Sequence, residues 1–129
     1  MFNKFAEKNS DYFYVVFRVV IGLVFLLHGI MKLPGMIDGS MVITGVFFWA
    51  GVIELVGGSL LILGLFTRYV AFVAAIEMLV AFFMVHTSKG VWHPLYNGGE
   101  AALLFFAAFL VLIAYGARKW SLDNLLGKG

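Results

Sequence analysis

Four apolar runs, at about 12–31, 42–63, 69–85 and 98–115, take up most of this 129-residue chain. Each approaches the ~20 residues that a helix needs to cross the hydrocarbon core of a bilayer, and the last is the shortest. Backbone N–H and C=O groups in lipid must be satisfied inside the segment, so runs of this kind are helices. Composition points the same way. Hydrophobic residues make up 63% of the chain and charged residues 12%, and the mean hydropathy is +1.01. A soluble protein this apolar could not cover its own surface. The expected fold is therefore all-α, a membrane-spanning four-helix bundle with little outside the lipid.

The breaks between runs have chemical causes. Pro34 and Gly35 are expected to end the first helix, and Gly64 the second. Thr67 is the expected cap of the third. Pro94 precedes the fourth and Gly116 follows it. Only a few residues join the second helix to the third, so these two are antiparallel neighbours. Ser121 to Leu126 reads as a short interfacial turn of helix capped by Ser121. The first run follows Glu7 and Asp11, contains Arg18 and lacks a small-x-small cleavage pattern, so it reads as a retained helix.

Lys and Arg at the helix ends set an expected orientation. Lys4, Lys8, Arg68, Arg118, Lys119 and Lys128 fall on one side, against Lys32 and Lys89 on the other. That bias places both termini in the cytoplasm. Tyr12, Trp49, Trp92 and Trp120 fall near helix boundaries, as an aromatic belt requires. The net charge of +2 is small and scattered, which argues against a nucleic-acid partner. With no cysteine, the chain has no disulfide, thiol relay or thiolate metal site, so any electrons must be carried by a cofactor or a partner.

Three ionisable residues fall inside the runs: Arg18, Glu54 and Glu77. A charge at the centre of a bilayer costs about 2.5–3.5 kcal/mol on insertion scales, so such residues face the bundle interior. Arg18, Gly22, Phe25, Gly29 and Lys32 share one helical stripe. Gly51, Gly57 and Gly58 flank Glu54, and Ala74 and Ala81 flank Glu77. Small residues let helices approach closely, so the polar and packing faces coincide. The three charges are expected to converge in one buried polar or proton site, with Arg18–Glu77 the nearest pairing by height and Arg18–Glu54 the alternative. The same groups also suit a packing network that only fixes the helices.

A second group, His28, Lys32, His86, His93 and Glu100, collects at the opposite, outer end as a candidate cofactor-binding rim. Two histidines on different helices suit haem ligation, although no metal-ligand spacing is present. In Asn97-Gly98-Gly99-Glu100, Asn97 reads as a helix cap and Glu100 as the residue that bonds back to it.

Taken in order, these pieces resemble the DoxX family of small four-helix membrane proteins. They are Arg18 with Gly22, then Gly29 and Lys32, and Glu54 with Gly57-Gly58. Gly64 through Thr67-Arg68 and Glu77-Met78 with Ala81 follow, then Gly98-Gly99-Glu100 and Trp120-Ser121-Leu122-Asp123. The resemblance implies a single transmembrane domain over 1–129 in a prokaryotic cytoplasmic membrane. It also implies kinship with subunits of quinone-reducing oxidoreductases, with stress-defence membrane complexes and with assembly chaperones. The leading expectation is a quinone-interacting subunit that works with a soluble or membrane oxidoreductase partner. Quinone is the expected cofactor and haem the lesser alternative. The competing expectations are a non-enzymatic scaffold and a small-solute or proton transporter, the latter needing a homo-oligomer to enclose a pore.

Overall fold

The computed structural model describes residues 1–41 and 45–128. They form seven helices, α1 (Phe2–Lys8), α2 (Ser10–Ile37), α3 (Val46–Leu63), α4 (Thr67–Ala81), α5 (Pro94–Asn97), α6 (Glu100–Tyr115) and α7 (Leu122–Leu125), and no strand among the described residues. By length and composition α2, α3 and α4 with its extension can each cross a membrane, and α6 is a shorter apolar helix. The expected start of the second helix at 42 lies outside the described residues.

The first long helix does not stop at Pro34. It begins at Ser10 and runs 28 residues to Ile37, about 42 Å at 1.5 Å per residue. Proline removes one N–H and crowds one carbonyl, and so close to a helix end both penalties fall on a single turn. The chain turns after Ile37, where Asp38 accepts the Ser40 N–H at 2.9 Å. That bond holds the Asp38 carboxyl below its ordinary range. The third helix also differs from expectation. Past Ala81 it widens into a π-helical turn over Phe82–His86.

α2 and α3 pack with almost no space between their backbones. A Cβ on Gly58 would lie 2.5 Å from the Leu26 N, and one on Gly29 2.7 Å from the Leu55 N. Glycine is required at these crossings because no side chain fits. α4 packs on α6 through Ala71, Ala74, Ala75, Phe109 and Leu112, all buried. Phe25 of α2 joins the two pairs, its ring centroid 5.0 Å from that of Phe109 and 5.7 Å from that of Phe105. Gly64, in the left-handed conformation, ends α3, and the Leu65 N–H returns to the Leu60 carbonyl at 2.9 Å.

The C-terminal segment folds back over the end of the bundle that holds this tight turn. Asp11, Tyr14 and Arg18 stand at i, i+3 and i+7 on one face of α2 and grip it together. Asp11 pairs with Arg118 at 3.0 Å and Lys119 at 2.9 Å. The Tyr14 hydroxyl donates to the Gly116 carbonyl. Ser121 caps α7, accepting the Asn124 N–H at 3.1 Å, as expected from the sequence. Asp123 then caps α4, accepting the N–H of Phe66 at 2.7 Å and of Thr67 at 2.9 Å. Thr67 is therefore not the cap. It opens α4, and its buried hydroxyl has no hydrogen-bond partner among the described residues. A carboxylate is the stronger choice at a helix N-terminus because it also meets the positive end of the helix dipole. Arg68 closes the opposite dipole end, donating to the Ile113 and Ala114 carbonyls of α6 at 2.6 and 2.9 Å.

Candidate functional site

Away from this C-terminal clasp, the α2–α3 pair and the α4–α6 pair separate around a cavity of about 1020 Å³. Its walls are mainly apolar, with Phe25, Ile53 and Phe105 among them. Among the described residues, five ionisable ones line it: His28, Lys32, Glu54, Glu77 and His86.

Lys32 and Glu54 form an ion pair between α2 and α3. Glu54 is buried and the ammonium is partly accessible from the cavity, with side-chain exposures of 5% and 23%. The pair follows from the glycine contacts, because the close crossing at Gly29 brings the next turn of α2 against Glu54. Glu77 projects from α4 within electrostatic range of both partners. Its Oε2 is buried and has no hydrogen-bond partner among the described residues. Buried polar atoms are almost always paired, so an open acceptor on the wall of a cavity suits a ligand that brings a hydrogen bond.

Arg18 does not join this group. Its guanidinium is 1% exposed and donates to the Ala117 carbonyl, to Lys119 O at 3.2 Å and to Trp120 O at 2.7 Å. The expected pairing of Arg18 with Glu77 or Glu54 is thus replaced by bonds to backbone carbonyls of the tail. Arg18 lies at the clasp end, where three converging carbonyls take up its two terminal amino groups without a second charge, while its buried Nε has no hydrogen-bond partner among the described residues. The cation that does meet a carboxylate is Lys32, placed by the sequence reading in the outer rim.

The rim itself divides. His28 sits edge-on to Phe105, with centroids 5.6 Å apart. His86 ends the π turn, its Nδ1 3.2 Å from the Asn97 carbonyl. Asn97 is buried and held by its own bonds, from Nδ2 to Val91 O at 3.0 Å and to Oδ1 from the Gly99 N–H at 2.7 Å. His93 and Glu100 stay outside the cavity. His93 is exposed and packs on Tyr96, 4.8 Å between centroids. Glu100 is exposed at the first turn of α6, whose cap position is Gly99. Asn97 is therefore not the cap of that helix. Pro94 starts a separate turn, α5, and left-handed Gly98 breaks the chain before α6 begins.

Sequence reasoning missed Asp11 and Tyr14 as partners of the tail, Asp123 of the tail as the cap of α4, and Asn97 as the support of His86. The i, i+3, i+7 spacing of Asp11, Tyr14 and Arg18 was the available signal for the first two. Nothing local marks Asp123, whose partners are 56 and 57 residues away.

An all-helical membrane protein, with an ion pair and an open carboxylate lining an apolar cavity, is the class these features define. The family model for DoxX matches residues 13–87, and the chain belongs to the DoxX family. An uncharacterized Haemophilus influenzae protein is 43% identical over 125 residues, covering 92% of this chain and 93% of its own. The Bacillus subtilis protein named "Putative oxidoreductase CatD" is 29% identical, covering 95% and 93% of the two chains. An uncharacterized membrane protein of Mycobacterium tuberculosis, Rv3486, is also 29% identical, covering 88% and 81%. No solved structure matches. The family and these relatives make this a bacterial membrane protein.

Proposed function

We propose that this protein is a quinone-interacting subunit of an oxidoreductase system in the cytoplasmic membrane. It crosses the bilayer four times, with both termini in the cytoplasm. One observation carries the reading: an apolar cavity whose lining includes a paired ammonium and an open carboxylate. A quinone head needs an apolar slot, a hydrogen-bond donor for its carbonyl and a proton source. Phe25, Ile53 and Phe105 supply apolar walls. Lys32, held by Glu54, supplies the donor; Glu77 enters as the neutral acid, gives its proton to the reduced head, and its open carboxylate oxygen then accepts from the quinol hydroxyl. The name of the Bacillus subtilis relative is consistent with a redox setting.

Reducing a quinone to a quinol takes up two electrons and two protons. This chain has no cysteine, so both electrons come from a partner oxidoreductase. The chain's own part is to bind, orient and exchange protons. Glu77 delivers one proton directly. Lys32 delivers the second, and both donors are then reprotonated from water by way of His28 and His86, which line the same cavity.

The test is quinone extraction from gently purified protein, followed by titration with quinone in detergent or liposomes. Saturable binding is expected, weakened at least ten-fold by Glu77→Gln with an unchanged melting temperature. Absence of both extracted and saturable quinone sinks the proposal. A scaffold reading would then stand in its place, since the Lys32–Glu54 pair and the C-terminal clasp tie the helices together with no need of a ligand.

A further inference from the structure

The cavity is partly open to its surroundings. α3 and α4 leave their tight turn in contact, and a Cβ on Gly57 would meet Val70 Cγ1 at 3.3 Å. Towards the other end both helices contribute to the cavity lining. Trp49, Ala50 and Ile53 line it from α3, and Ile76, Val80 and Met84 from α4 and its π extension. No residue of this rim is charged. Trp49, Ile76 and Met84 are 63%, 48% and 59% exposed, which in a membrane-spanning chain means exposed to lipid. Behind the rim, the same two helices carry Glu54 and Glu77. Polarity therefore rises from the lipid-facing gap to the interior. The matching solute is an amphiphile with a small polar head and a long apolar tail.

We propose that the gap between α3 and α4 is a lateral portal. Through it an isoprenoid quinone passes from the bilayer to Glu77, with its tail remaining between Trp49 and Met84. This inference rests on the quinone reading above and adds the route and the ligand class. Water-soluble quinones lacking a tail forgo the gap contacts and bind poorly. The apolar rim also keeps ions out of the cavity from this side, because a charge in hydrocarbon is strongly disfavoured.

The deciding experiment uses the full chain in liposomes and a long-tailed quinone bearing a photoactivatable diazirine on its tail. Adducts are expected on residues 46–53 and 76–84. The long-tailed quinone should bind at least ten-fold more tightly than its tail-less head group. Ala50→Trp should weaken the long-tailed probe at least ten-fold and leave the head group unchanged. Adducts confined to α2 or α6, or equal affinity for both probes with Ala50→Trp indifferent, overturn the portal while the quinone reading stands. A cross-linked second copy covering Trp49 and Met84, with no tail adduct there, overturns it too. No saturable binding of either probe overturns the quinone reading itself. The adduct map uses the unaltered sequence, so it decides the matter even if Ala50→Trp fails to fold.

Discussion

Replacing Arg18 with methionine separates the two places this residue can act. The guanidinium is almost wholly buried and serves three carbonyls, those of Ala117, Lys119 and Trp120. A hydrogen bond from a charged donor contributes about 1.5–3 kcal/mol. Three of them would total roughly 4.5–9 kcal/mol. Methionine, however, is spared the burial of an ion, which costs several kcal/mol and offsets much of that sum. What remains is chiefly the buried Ala117 carbonyl left without a donor, together with a loosened tail, for about 3 kcal/mol. For a chain of this size that lowers the melting temperature by roughly 10 °C. Two assays read it: thermal unfolding in detergent, and limited trypsinolysis after Arg118 and Lys119. The variant should melt lower and be cut faster at the tail, while quinone affinity of the folded fraction changes by less than about two-fold. An unchanged melting temperature and a protected tail, accompanied by lost binding, would refute the reasoning. Arg18 would then reach the cavity, as its height along α2 first suggested.

Three further outcomes are expected. Lys32→Met should destabilise by about 3–5 kcal/mol because it strands the buried Glu54 carboxylate, and Glu54→Gln by less because the ammonium it leaves is partly accessible; the double variant should lose less than the sum, and additive losses in chemical denaturation would show that the pair is not coupled. Gly58→Val must push α2 away from α3, since even a Cβ falls 2.5 Å from the Leu26 N; the cost should exceed the about 1–3 kcal/mol of ordinary overpacking, and a melting temperature equal to the parent's would contradict the close crossing. Asp123→Ala removes the cap from two backbone amides of the Phe66–Thr67 turn, with a loss of about 1–2 kcal/mol; hydrogen exchange should quicken at the start of α4 and stay unchanged in the middle of α3.

The sequence by itself determined the class of molecule and most of its frame. Run length and hydropathy demand helices in lipid, because only a helix satisfies its backbone within one segment there. Gly64 as a helix end, Ser121 as a cap and the small-residue faces around Glu54 and Glu77 were all legible, because each is a local steric or capping rule. Pro34 misled because a proline penalty depends on its distance from the helix end, which composition does not reveal. Which charges meet was decided only by the tertiary structure. Height along a helix gives one coordinate, and it brought Arg18 towards Glu77. The other coordinates come from how two pairs of helices cross. The glycine contacts set Lys32 against Glu54, the returning tail claims Arg18, and Glu77 is left facing an open cavity with an acceptor to spare.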